Sequence, residues 1–159
     1  MLYHPNYAGA LRCIGQALQN HSIEVFELKS DANEFRVEGA DPNPPFTGLI
    51  KLNFSIDDIK ILDREGQARR RRSKSDFRFD NLPEILRAVG KYVDDKRAAR
   101  LRWINNCCLS DQDEIEIEYQ TRAGDIRAET LSMSAIREIA VDMYKKRTRI
   151  PNPIGMVTR

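Results

Sequence analysis

Arg64, Arg69, Arg70, Arg71, Arg72, Lys74 and Arg78 crowd one stretch of the chain, and Lys145, Lys146, Arg147 and Arg149 crowd another. A guanidinium presents a rigid fork of donors that fits two phosphate oxygens, and a lysine adds a point charge. Two such clusters could grip a nucleic-acid backbone. The same residues also complement helix C-termini and keep a surface solvated. The nucleic-acid candidates are therefore Arg69, Arg70, Arg71, Arg72, Lys74, Lys145, Lys146, Arg147 and Arg149. Phe77 and Phe79 alternate with Arg78, a pattern that suits a core or a sheet edge better than a base-stacking platform.

Other chemistries find little to build on. The two histidines are His4, in the N-terminal lead, and His21, at the end of a predicted helix. A histidine base oriented by a carboxylate is hard to assemble from those places. Cys107 and Cys108 are adjacent, Cys13 falls on an apolar stripe, and no Cys-x-x-Cys spacing occurs, so reduced thiols are expected rather than zinc or a redox pair. Asp111 and Asp113 resemble the opening of a calcium loop, but the glycine and closing glutamate are missing. Neither glycine-rich nucleotide motif is present. The sequence predicts no catalytic residue, no metal site and no cofactor.

Charge and length narrow the class. With 26 basic and 24 acidic side chains the net charge is +2, so any nucleic-acid affinity must come from a local patch. Hydrophobic residues make up 41% and charged residues 31% of 159, the balance of a folded chain with a core. No apolar run reaches the roughly 18–20 residues of a membrane span. Met1-Leu2-Tyr3-His4-Pro5 lacks the basic start and apolar run of a signal peptide, and a cytoplasmic protein without membrane contact is expected.

The elements that must carry these residues are written twice. Leu11-Arg12-Cys13-Ile14-Gly15 is followed 75 positions later by Leu86-Arg87-Ala88-Val89-Gly90, and Phe54-Ser55-Ile56 is followed at an offset of 77 by Leu131-Ser132-Met133. Helices are predicted over 7–20, from Ser55, from Asn81 to about Val93, and from Ser132 or Ser134. Strands are predicted over 23–29, 34–38, 49–54, 101–104, 114–119 and 126–131, with Ile115, Ile117 and Tyr119 inward and Glu114, Glu116 and Glu118 in water. A glycine inside each repeated helix costs about 1 kcal/mol against alanine. Gly15 and Gly90 are thus expected where another backbone packs closely.

The chain reads as an α+β protein of two pseudo-repeated helix–three antiparallel strands–helix units, 1–75 and 76–149, with a tail at 150–159. Each half alone is small, so the two sheets are expected to join into one pseudo-twofold domain. The element order of each half resembles that of double-stranded RNA-binding domains. The positions matching the lysine-rich start of that family's second helix are Ser55-Ile56-Asp57-Asp58 and Ser132-Met133-Ser134-Ala135, so its binding residues do not carry over. The functional expectation is a non-catalytic binding module for protein interaction or assembly, with a protein partner or a homodimer. It would use sheet edges, the Pro42–Pro45 loop or the Ile150–Val157 tail. Nucleic-acid backbone binding is the alternative, and a small-molecule site or enzyme at the junction of the halves the least favoured.

Overall fold

The computed structural model describes residues 6–31, 34–40, 49–62, 81–96, 100–106 and 114–148, the side chains of 144 and 146–148 excepted. Helix α1 spans Tyr7–Asn20 and is followed by strands β1 (Val25–Ser30), β2 (Glu34–Ala40) and β3 (Ile50–Ser55). Helix α2 begins at residue 56 and is described to residue 62. Then come α3 (Leu82–Asp94), β4 (Arg100–Asn105), β5 (Glu114–Gln120), β6 (Ile126–Ser132) and α4 (Met133–Thr148). No described helix is long and apolar enough to cross a membrane. The predicted segments at 63–80, 107–113 and 149–159 lie outside the described residues.

Local chemistry sets the helix starts. Asn6 and Asn81 cap α1 and α3, each side-chain oxygen accepting from the backbone N–H three residues on, Gly9 and Glu84. Ser55 and Asp58 form a reciprocal box at α2, with the Asp58 amide donating to the Ser55 hydroxyl and the Ser55 amide to the Asp58 carboxylate, both at 3.1 Å. For α4 the cap is Ser132, whose hydroxyl accepts from the Ala135 amide.

The six strands make one antiparallel sheet in the order β3-β2-β1-β4-β5-β6. Reading outward from β1 and β4, each half contributes its strands in chain order. The joint is short: Glu27 opposite Asn105, Leu28 opposite Ile104 and Lys29 opposite Trp103. Asn106 extends it. Its side-chain oxygen accepts from the Phe26 amide at 2.7 Å, its side-chain amide donates to the Glu24 carbonyl, and its backbone amide donates to the Phe26 carbonyl.

Alternation puts Phe26, Leu28, Phe35, Val37, Ile115, Ile117 and Tyr119 on one face, where they form a single core with Leu11, Ile14 and Leu18 of α1, Leu86, Val89 and Val93 of α3, and Ile136 and Ala140 of α4. The helices thus cover one side of the sheet. Glu114, Glu116 and Glu118 point away from that core and are half-buried.

Helices α1 and α3 pack backbone to backbone. A Cβ built on Gly15 would lie 2.8 Å from the Pro83 Cα, and one built on Gly90 would lie 2.5 Å from the Tyr7 carbonyl carbon and 2.6 Å from the Ala8 nitrogen. Each glycine lies under the first turn of the other helix. The same end of α3 holds α1 electrostatically. Asp94 accepts from the Tyr7 and Ala8 amides at 3.0 and 3.1 Å, so a carboxylate meets the exposed N–H groups at the start of α1. Burial raises the Asp94 carboxyl above its usual range, outweighing the opposing effect of those two amides.

Candidate interaction surface

The basic clusters expected from the sequence are only partly within view. Arg69, Arg70, Arg71, Arg72, Lys74 and Arg149 lie outside the described residues. Lys145, Lys146 and Arg147 fall in the last turns of α4, and Lys145 is exposed. A groove of about 520 Å³ runs along that helix between Ser134, Arg137, Glu138, Val141, Asp142 and Lys145, and it holds both signs of charge. Pro42–Pro45, His4, Cys107 and Cys108 are outside the described residues, Cys13 is buried with its sulfur accepting from the Arg12 guanidinium at 3.7 Å, and His21 caps α1 through its backbone. Among the described residues no three His, Cys, Asp or Glu side chains converge as metal ligands.

A different arrangement of charge emerges on the sheet face turned away from the helices. Strand pairing assembles it from both halves. One row across the strands reads Asn53 (β3), Arg36 (β2), Lys29 (β1), Trp103 (β4), Glu118 (β5) and Ala128 (β6). The next row reads Lys51, Glu38, Glu27, Asn105, Glu116 and Thr130 in the same strand order. At the centre of the face, cations at 29 and 36 therefore border carboxylates at 27 and 38.

A bulge in β4 shapes the centre. Leu101 pairs with Tyr119 and Trp103 with Glu118, so Arg102 is the extra residue. Leu101 and Ile104 both remain fully buried, and the two residues between them, Arg102 and Trp103, stay off the core. The Trp103 indole N–H donates to the Glu27 carboxylate at 3.0 Å, tying β4 to β1. Arg102 pairs with Glu118 at 3.1 Å. Lys29 approaches Glu27 at 3.8 Å, Lys51 approaches Glu38 at 3.9 Å, and Arg36 lies 3.4 Å from Asp31 and 3.6 Å from Glu34. These pairs are mostly solvent-exposed, where an ion pair is worth roughly 0–1 kcal/mol. They leave the charges able to exchange partners. A shallow cavity of about 600 Å³ opens beside Trp103, bounded by Lys29, Ser30, Asp31, Arg36, Arg100, Arg102, Glu118 and Gln120.

On the helix side a smaller polar cluster closes the core. The Tyr92 hydroxyl donates to Glu129 at 3.0 Å, and Lys96 sits over the Tyr92 ring at 4.5 Å. The other Glu129 oxygen is buried without a hydrogen-bond partner among the described residues. Burial, and then Glu129, raise the Tyr119 phenol. Two tyrosines and a lysine thus crowd one carboxylate. The arrangement works as a polar plug between α3 and β6.

Sequence reasoning placed Arg102 and Trp103 in a strand without singling them out, and passed over Lys29, Arg36 and Arg100. One local signal was available: two apolar residues three apart, Leu101 and Ile104, in a segment that otherwise alternates by two. The pairing of Lys29 with Trp103 has no local signal, because the residues are 74 positions apart.

The chain matches no protein-family model, no curated protein and no solved structure.

Proposed function

We propose that the chain is a non-catalytic binding module that works in protein interaction and assembly, with the uncovered sheet surface as its contact region. One observation carries this reading: a six-stranded sheet has all of its described helices on one face, leaving the opposite face and the edge strands β3 and β6 open among the described residues. That face carries a tryptophan among arginines, and Trp and Arg are enriched where proteins meet. Ile126 stands 54% exposed on β6, an edge whose backbone can pair with another strand. The buried Cys13 is in no disulfide, which accords with a reducing, cytoplasmic setting.

We also read the two halves as copies of one unit. The reading draws on the asparagine caps at 6 and 81, the glycines at 15 and 90 that each lie under the other helix's first turn, and the strand order that repeats outward from the joint. Both asparagines and both glycines keep one 75-residue offset.

The second reading is backbone binding of nucleic acid through Arg69–Arg72 and Lys145–Arg149. The exposed Lys145 near the end of α4 favours it. On the sheet face the carboxylates at 27, 38 and 116 oppose a polyanion.

Capture of partners from cells that make the protein, followed by hydroxyl-radical footprinting of the side chains, separates the two. The expected result is a protein partner that shields Trp103 and Ile126. Recovery of nucleic acid alone, with shielding along α4 and a mobility shift that falls steeply with salt, would replace the first reading by the second.

A further inference from the structure

We infer that the partner seated on the uncovered sheet face is a second copy of this chain, stacked face to face about a two-fold axis that runs across the strands. This inference rests on the reading of that face as a protein-contact surface and specifies its occupant. A two-fold interface must be complementary to itself, because the same patch serves both subunits. Rotation about an axis lying between the two charge rows and crossing the strands lays one row over the other row of the mate. Lys29 then faces Glu27 of the second copy, and Arg36 faces its Glu38; the symmetry repeats both pairs. Trp103 faces Asn105. Glu118 comes over Glu116, the one like-charge meeting, and Glu118 already has Arg102 at 3.1 Å. The side-by-side order of cations and carboxylates on strands β1 and β2 is what makes the patch match itself.

Size fits a modest dimer. Six strands about 4.8 Å apart and about 20 Å long present roughly 570 Å² per subunit, or roughly 1,100 Å² in all. That lies near the lower limit of about 1,000 Å² for a specific interface. Packed sheets keep their strands within about 30° of each other, so the rows overlap best at their centre, where Lys29, Glu27 and Trp103 lie. With exposed charge at its centre, the interface gains orientation and specificity from electrostatics, and salt weakens it.

Charge reversal tests this in the full chain. A Lys29→Glu/Arg36→Glu variant leaves only carboxylates at the four central positions, and a Glu27→Lys/Glu38→Lys variant leaves only cations. Sedimentation at about 50 mM salt should show wild type dimerising with concentration and each variant alone remaining monomeric. An equimolar mixture of the two regains the four opposite-charge pairs and should associate at least as tightly as wild type, and about 1 M salt should weaken every one of these complexes. Emission of Trp103, the only tryptophan, should change with the same midpoint. Thermal melts establish that the variants fold; should the doubles melt low, Arg36→Glu mixed with Glu38→Lys, remote from the Trp103 bond, repeats the test. A monomeric wild type and an unmixed pair of variants overturn the inference. So does a dimer that survives both reversals, which would point to edge pairing and leave the protein-contact reading standing. A short single-stranded oligonucleotide that shifts Trp103 emission while the protein stays monomeric also overturns it.

Discussion

Gly90 of α3 lies against the backbone of Tyr7 at the start of α1, so close that a single methyl group would come within 2.5 Å of the Tyr7 carbonyl carbon. Gly15 makes the reciprocal approach to Pro83. In each case the helix gives up about 1 kcal/mol of propensity and gains an approach that a Cβ would forbid.

Alanine at either glycine should therefore destabilise the fold despite its better helix propensity. The expected cost is roughly 1–3 kcal/mol for Gly15→Ala, in the range of overpacked cores. Gly90→Ala should cost more, because the backbone of Tyr7 and Ala8 comes closer to it, 2.5 and 2.6 Å, than Pro83 comes to Gly15 at 2.8 Å, and lies on the turn that Asp94 also pins. Denaturant melts at neutral pH measure both. A change within about 0.5 kcal/mol for Gly90→Ala would show that the helices part easily.

The joint between β1 and β4 has three facing residue pairs, and Asn106 supplies hydrogen bonds just beyond them. Asn106→Ala leaves the Phe26 amide and the Glu24 carbonyl without these partners, and an unsatisfied polar group costs about 1–3 kcal/mol where water cannot replace the bond. The variant should lose about 1–2 kcal/mol of stability, and its β1 amides should exchange with solvent faster than those of β2. Unchanged exchange at Phe26 would assign the strength of the joint to the core beneath it.

Alkaline pH should weaken the fold through Tyr7. Burial raises its phenol above 10.0, ahead of smaller opposing effects from the Leu101 amide and Arg100. A group raised on folding contributes stability that is whole below its unfolded value and is lost as pH rises through the folded one. Stability should thus hold to about pH 10 and fall above it. Tyr7→Phe removes the acceptor of the Leu101 N–H bond, 3.3 Å, and should cost about 1 kcal/mol at neutral pH while flattening the alkaline fall. Urea melts at about pH 8 and 11 give both numbers; an equally steep fall in Tyr7→Phe would move the effect to another group, with Tyr119 next.

The order of elements and the inward set of β5 were legible because both are local. Period-two alternation marked Ile115, Ile117 and Tyr119, and a hydroxyl or amide just before an apolar stripe marked the caps at Asn81 and Ser55. Where two adjacent residues break the alternation, as Arg102 and Trp103 do, the period alone assigns neither to a face. The bulge opposite Glu118 decides it.

Charge pattern divides the same way. The sequence determined by itself that the chain has basic and acidic side chains in near balance, two helices with interior glycines, and alternating charged faces on strands such as β1, β2 and β5. Only the tertiary structure decided that those faces join, setting Lys29 beside Arg36 and Trp103, and Glu27 beside Glu38 and Asn105. Register along a strand follows from neighbours two residues away. Register between strands follows from the core that both halves bury together, and no local period encodes which strands meet.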